Sequence, residues 1–220
     1  MTVLPLKIDL HVHTCYSHDC TTSLKEVVLY AKRNGLDGVA ITDHNTVEGA
    51  LKLVKRKPRG LIVIPGIEVS TQQGHLLGLN VKTLIPPNFS IKKTIELIHE
   101  DGGIAVIPHP FAFIKEGIRP NKNFKSYGLD AIEVANSSNF PFFIMSYLAS
   151  RFAENMNLPK TGGSDSHIPD TIGLAYTIIE NAKADPETDD IIQAIKEGMI
   201  VPVGKAIPWM LRLKKMFKKR

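Results

Sequence analysis

A chain of 220 residues, 43% hydrophobic and 22% charged, has the composition of one globular domain with a core of its own. It has no apolar run near the roughly 18 residues of a membrane span and no apolar leader at its start, and its two cysteines are too few for a disulfide framework; a cytoplasmic, reducing setting is expected. The net charge of +5 belongs to the end of the chain, where residues 212–220 hold six basic residues and no acid, so the body is near neutral and is not a strongly basic nucleic-acid binder.

Taken in chain order, short apolar stretches alternate with stretches of helical period. Lys7–Val12 predicts the first strand. Ser23 then caps a helix, Glu26 completes a capping box, and Gly35 ends it, with Leu24, Val27, Val28 and Ala31 on one side. Strands are expected at Gly38–Thr42, Leu61–Ile64 and His75–Asn80. Ser90 caps a helix lined by Ile91, Ile95 and Ile98, and Ile104–Ile107 follows as a strand. The segment Phe111 to Tyr127, with Gly117, Pro120, Asn121 and Asn123, reads as a loop crossing the mouth of the fold. Ala131–Val134, Thr161–Gly163 and Leu174–Ile179 complete the strands, and a helix starting at Thr188 or Asp189 ends at Gly198. Strands without strict polar alternation are buried on both faces, as in a parallel sheet. Six or more strand–helix units in one domain predict a closed α/β barrel over residues 1–205, with a doubly wound open sheet as the alternative. The final stretch, 206–220, is a basic amphipathic helix of its own. Trp209, Met210, Leu213, Met216 and Phe217 are spaced along one stripe, and Arg212, Lys214, Lys215, Lys218 and Lys219 fill the rest. It could contact an anionic membrane or nucleic acid weakly, or pack its apolar stripe on the barrel with its lysines snorkelling outward.

The eight histidines are not scattered. His11 and His13 stand two apart on the first strand, so their side chains leave one face and can grip a single metal ion. Taken alone, such a pair is as well explained by two buried imidazoles bonded to backbone. The pattern recurs, however. Asp43 and His44 end the second strand, Glu68 follows the third, His109 follows the fifth, and Asp165 and His167 end a later one. Ionisable groups at the ends of apolar strands cost several kcal/mol each unless they are partnered. In a parallel barrel these ends converge at one face, where active sites are built. His75 opens its strand, and reaches that face only if the strand runs against its neighbours or the preceding turn lies at the mouth. Nine candidate ligands (His11, His13, Asp19, His44, Glu68, His75, His109, Asp165 and His167) suffice for two or three ions. Imidazole and carboxylate without thiolate suit Mn²⁺, Zn²⁺ or Fe²⁺. Asp43 fits the role of orienting a ligand or loop, and His99 lies within a helix, away from the pattern. Cys15 and Cys20 flank the turn at Tyr16–Asp19 and read as small buried side chains rather than metal-sensitive thiols.

The motifs H-x-H-T, I-T-D-H-N, G-I-E-V-S, H-P and G-S-D-S-H, in this order between Asp9 and His167, resemble the PHP (polymerase and histidinol phosphatase) domain family. The resemblance implies a distorted seven-stranded (β/α) TIM-like barrel, up to three metal ions and phosphoester hydrolysis. It places His11, His13, Glu68 and Asp165 on a first ion, Glu68 with His75 and His109 on a second, and Asp19, His44 and His167 on a third. His18 and Asp19 are both available at the last position; the pattern Tyr16-Ser17-x-Asp19 favours Asp19 and leaves His18 to face the substrate.

The expected reaction is attack on a phosphomonoester or phosphodiester by a metal-activated hydroxide, with Asp165, Glu68 and His18 as the catalytic residues. Nucleotides, short oligonucleotides and small phosphorylated metabolites are all candidate substrates. Lys115 and Arg119 could bind phosphate, against the plainer reading of solvated loop charges. The rivals are a metal-dependent amidohydrolase, which would want a carboxylated lysine between its ions, and a non-catalytic metal- or nucleic-acid-binding module.

Overall fold

The structure is a computed structural model. It describes residues 5–112, 117–119, 121–180, 182–183 and 185–217. Nine strands form one sheet: β1 (Leu6–Val12), β2 (Gly38–Ile41), β3 (Ile62–Thr71), β4 (Gly74–Leu79), β5 (Ile104–Ile107), β6 (Ala131–Asn136), β7 (Lys160–Gly163), β8 (Ala175–Ile179) and β9 (Ile200–Gly204). Their spatial order is β7-β6-β5-β4-β3-β2-β1-β8-β9. The first seven strands wrap into a barrel because the end of β7 returns to β1. Asp165 N donates to His11 O at 2.8 Å and His13 N to Ser166 O at 3.1 Å. The hairpin of β8 and β9 continues from that same edge of β1, opposite β2, where β8 runs antiparallel to the start of β1.

The pairing is mixed. β1–β2, β2–β3, β5–β6 and β6–β7 are parallel, while β4 is antiparallel to both β3 and β5. β3 is longer than expected because it serves two partners in turn. Ile62 to Pro65 pair with β2 and Gly66 to Thr71 with β4, so Pro65, with no N–H to donate, sits where the ladder changes sides.

Alternation along the strands sorts the interior into two layers. One apolar cluster takes Ile8 and Leu10 from β1, Ala40 from β2, Ile64 from β3, Leu77 and Leu79 from β4, Ile104 and Val106 from β5, and Ala131 from β6. A cluster drawn from six successive strands can only be the barrel interior. Helix α5 (Thr188–Lys196) joins it through Ile191, Ile192 and Ile195, closing that end. Outside, α1 (Leu24–Arg33) and α2 (Glu48–Arg56) pack with Val39 and Ile41, and α3 (Ile91–Glu100) and α4 (Phe142–Met156) pack with Ile67, Val69 and Leu76. The capping box at Ser23 and Glu26 and the cap at Ser90 form as expected. Helices α2 and α4 and strand β9 were not anticipated. The segment read as a loop from Phe111 to Tyr127 contains a 3-10 helix at Lys122–Tyr127.

Helix α6 (Trp209–Phe217) forms, but corrects the expectation that its apolar stripe faces the barrel. Trp209, Met210 and Leu213 are exposed, and it is Arg212 that meets the body. Its guanidinium donates to the carbonyls of Ile207, Ser137, Ser138 and Asn139 at 2.9–3.4 Å and lies over the Phe140 ring. No helix among the described residues is long and apolar enough to cross a membrane.

Candidate metal centre

Above the apolar layer, the inward positions become ionisable. On β3 the inward series runs through Ile62 and Ile64 to Glu68; on the reversed β4 it runs His75, Leu77, Leu79. The antiparallel course of β4 therefore brings His75 to the mouth. Two bulges adjust the aim of neighbouring strands. Pairing of β1 with β2 shifts by one residue between Asp9 and Val12, and pairing of β6 with β7 shifts between Glu133 and Ala135. The first lets Leu10 join the interior and Val12 the outer layer, while His11 and His13 both face the cluster. His109 (φ 30°) and Asp165 (φ 51°) adopt left-handed backbone, a strained state that non-glycine residues keep when their surroundings impose it.

Glu68 is the hub. It is 1% exposed, and its two oxygens face different groups. Oε2 lies 3.5 Å from His11 Nε2, 3.3 Å from His13 Nε2 and 3.2 Å from His44 Nδ1. Oε1 lies 3.1 Å from His75 Nδ1 and 3.0 Å from His109 Nε2. Asp165 Oδ1 stands 3.5 Å from His13 Nε2 and 3.9 Å from His11 Nε2. On the outer side, His167 Nε2 is 3.0 Å from Asp19 Oδ2, and His44 Nε2 is 3.8 Å from Asp19 Oδ1. All nine residues singled out from the sequence as ligands thus meet in one cluster.

The hydrogen bonds behind the cluster say which nitrogens carry protons. Glu133, 1% exposed on β6, accepts the N–H of His109 at 2.9 Å and the Asn136 amide at 2.7 Å on Oε2. Its Oε1 faces His11 Nδ1 at 3.1 Å, so that nitrogen is the donor. Ser17 Oγ donates to Asp43 Oδ1 at 2.9 Å, accepts from His44 N at 3.0 Å, and so accepts from His13 Nδ1 at 3.1 Å. His167 Nδ1 donates to the Asp165 carbonyl at 3.0 Å. Each imidazole thereby turns a lone pair on Nε2 toward the cluster. His11 Nε2 and His13 Nε2 come within 3.1 Å of each other with carboxylate oxygens around them, so they need a proton or a cation between them. Such an array needs positive charge at its centre. Four donors held about 2.0–2.2 Å from one ion at tetrahedral angles stand roughly 3.3–3.6 Å apart, close to the observed spacings. The residues present fit divalent ions.

Titration points the same way. Burial opposes a charged His11, yet Glu133, Glu68 and Asp165 carry its pKa well above the ordinary value. His13 is raised likewise, against burial, by Asp165 and Glu68. Burial pushes Glu68 up, and His11 and His109 more than reverse this, holding it well below the usual range. His44 is pushed down to about 3 by burial, and so keeps a neutral, coordinating ring. Asp19 is held below the usual carboxylate range, against partial burial, by His167.

The remaining expectations divide. Asp43 binds the loop, as expected: besides Ser17 it accepts Thr14 N at 2.6 Å and Thr14 Oγ1 at 2.7 Å. His99 pairs with Asp130 at 2.7 Å, outside the cluster. His18 is exposed at the rim, its ring 5.3 Å from that of His44. Arg119 is exposed, and Lys115 lies outside the described residues. Cys20 is buried, donates to His167 O at 3.3 Å and has a thiol pushed up to about 11 by burial. Cys15 corrects the expectation of two buried cysteines, because it is exposed. Glu133, Ser17 and Asp9 also build the site, and their roles were not expected from sequence. The buried Asp9 accepts from Ser164 N and Gly173 N, each at 2.8 Å, and ties β1 to the segment after β7. For Glu133 the available signal was a lone acid inside the apolar run Ala131 to Ala135.

Fold and cluster together define a metal-binding α/β barrel whose chemistry sits at the strand ends. A family model described as PHP-associated matches residues 146–200. The uncharacterized protein MJ1587 of Methanocaldococcus jannaschii is 36% identical over 143 residues, covering 60% of this chain and 82% of that protein. A 5'-3' exoribonuclease of Haemophilus influenzae is 24% identical, with 74% of this chain and 90% of that protein covered. Among solved structures, a two-domain protein from Bacteroides vulgatus containing a predicted PHP-like metal-dependent phosphoesterase superposes with a TM-score of 0.77 at 20% identity, over 98% of this chain and 70% of that one. The chain belongs to the PHP family, whose members include metal-dependent phosphoesterases.

Proposed function

We propose that this protein hydrolyses a phosphomonoester or phosphodiester, with two or three divalent ions (Mn²⁺, Zn²⁺ or Fe²⁺) held by the nine clustered residues. The observation that carries this reading is Glu68, a buried carboxylate whose two oxygens each face a separate set of imidazoles. That is the place where an amidohydrolase would use a carboxylated lysine, and here a glutamate fills it. In the proposed assignment His11, His13, Glu68 and Asp165 hold one ion, Glu68, His75 and His109 a second, and Asp19, His44 and His167 a third. Asp19 is preferred over His18 as the third-site ligand because it lies 3.0 Å from His167, whereas His18 is exposed. Ions bound there supply a water of near-neutral pKa and neutralise charge on the phosphoryl oxygens.

The protein's own groups do the rest. Glu133 and Ser17 hold His11 and His13 with their lone pairs inward. His18 is assigned here to meet the substrate or pass a proton to the leaving oxygen; its exposure at the rim beside His44 supports that role. Arg119 is available to phosphate at the surface, and Lys115 is proposed with it on sequence grounds. The similarity to an exoribonuclease supports including oligoribonucleotides among the substrates tested, beside nucleotides and small phosphorylated metabolites.

The test is product release from that substrate panel with Mn²⁺, Zn²⁺, Fe²⁺ or chelator, beside Asp165→Ala and His11→Ala. Turnover that falls to the chelated level in both variants is expected. A folded, metal-loaded protein that cleaves no phosphoester would end this reading and return attention to amide hydrolysis.

A further inference from the structure

The outward orientation of α6 leaves an apolar surface that nothing among the described residues covers. Trp209 is 68% exposed, Met210 83% and Leu213 52%. A helix docked only to finish the barrel would bury these and turn Arg212 to water; here the arrangement is reversed. The surface continues across Phe140, whose ring meets that of Trp209 edge-on at 5.5 Å, onto the start of α4. There Phe143 (81% exposed), Ile144 and Tyr147 point away from the core at successive helical positions, while Phe142, Met145 and Ala149 pack inward. No charged residue occurs from 134 to 150. Apolar patches of this extent on a soluble fold mark an interaction site.

Charge and composition select the partner. In sequence, Leu213 is followed by five basic residues, Lys214, Lys215, Lys218, Lys219 and Arg220, and no acid. Two copies meeting through this face would bring those cations together, which disfavours self-association. Exposed Ile144, Met210 and Leu213 offer little to nucleic-acid bases, which stack on aromatic rings. Aliphatic chains flanked by Trp and Tyr, with lysines following them in sequence, suit the boundary between acyl chains and anionic headgroups. We propose that α6 and the start of α4 form a docking surface for an anionic membrane, on which the protein lies peripherally. Arg212 makes the surface rigid with the barrel by clamping α6 to the carbonyls of residues 137–139, the loop that follows β6.

Sedimentation of the full chain with vesicles tests this, using phosphatidylcholine alone and phosphatidylcholine with phosphatidylserine. Binding only to the anionic vesicles, released by salt, is expected. Lys214→Glu with Lys215→Glu should weaken it at least about 30-fold, since each cation near such a surface is worth about 1 kcal/mol. Phe143→Ser with Trp209→Ser should abolish it. Because those two side chains are exposed and neither belongs to the nine clustered residues or to the groups that orient them, melting temperature and any metal-dependent hydrolysis should not change. Three results would overturn the proposal. One is equal or absent binding to the two vesicle types. Another is a dimer in light scattering that Phe143→Ser with Trp209→Ser dissociates. The third is binding to a single-stranded oligonucleotide with none to vesicles.

Discussion

Ser17 makes three hydrogen bonds with one hydroxyl, joining His13, His44 and Asp43. Glu133 does comparable work on the far side, holding His11, His109 and Asn136. Neither faces the centre of the cluster, yet both decide which imidazole nitrogen does. Replacing Glu133 with Gln puts an amide N–H against a donor it now accepts from, either His11 Nδ1 or the His109 N–H. Metal affinity should fall by about 10–100-fold with the fold intact, as for other groups that orient metal ligands. Ser17→Ala should act in the same direction. Competition with a chromophoric chelator measures both, and unchanged affinity in Glu133→Gln would remove its orienting role. The clustered residues were legible in the sequence because His, Asp and Glu are conspicuous at the ends of apolar strands. Ser17 was not, because a serine beside a turn looks the same whether it organises a site or faces water.

At the scale of elements, the cluster depends on how closely backbones approach. A Cβ on Gly163, which ends β7, would collide with His11 Cβ and lie 2.8 Å from both Glu133 Oε1 and His11 N. Gly163→Ala should therefore destabilise the protein by roughly 1–3 kcal/mol, the usual range for overpacking, and weaken metal binding with it. Gly49 plays a similar part in the first turn of α2, where a Cβ would collide with the Asp43 carboxylate that holds the Thr14–Ser17 loop. Thermal melts with and without metal separate the two effects; a Gly163→Ala variant matching the parent in both would refute the packing argument. The strands and the capped helices were readable from periodicity and cap residues. Helix α2 was not, because Val47 at its start makes no side-chain cap. Helix α4 was hidden by apolar residues on both its inner and outer sides, which blur the helical period. β3 was read as ending at Ile64, seven residues before its end at Thr71, because Pro65 and Gly66 look like a strand end, and only the change of partner there explains their place.

For the whole molecule, the cluster makes stability depend on pH and metal together. Without metal, His11 and His13 have pKa values raised above 6.5. A group raised in the folded state stabilises it fully below its unfolded value and loses that contribution as pH rises through the folded one. The chelated protein should therefore lose the stabilisation from these two residues as pH climbs above 6.5. Metal replaces those protons, so binding should release protons and tighten as pH rises, and the gain in melting temperature on adding Mn²⁺ or Zn²⁺ should grow from pH 6 upward. A metal-induced shift in melting temperature that is independent of pH would contradict protonated His11 and His13 in the metal-free state.

The sequence by itself determined the alternating βα order, the caps of α1 and α3, and the identity of the nine residues that cluster, since each rests on local periodicity or on side-chain chemistry. Tertiary structure alone decided the rest. The reversal of β4 brings His75 to the mouth, two bulges turn neighbouring strands, and strand-end bonds from Asp165 and Ser166 close the barrel onto β1. It also decided that α6 turns Arg212 inward and Trp209, Met210 and Leu213 out. These outcomes depend on partners far apart in the chain. A local pattern records which groups a segment carries and where its faces lie; it does not record which backbone carbonyls or neighbouring strands will be there to receive them.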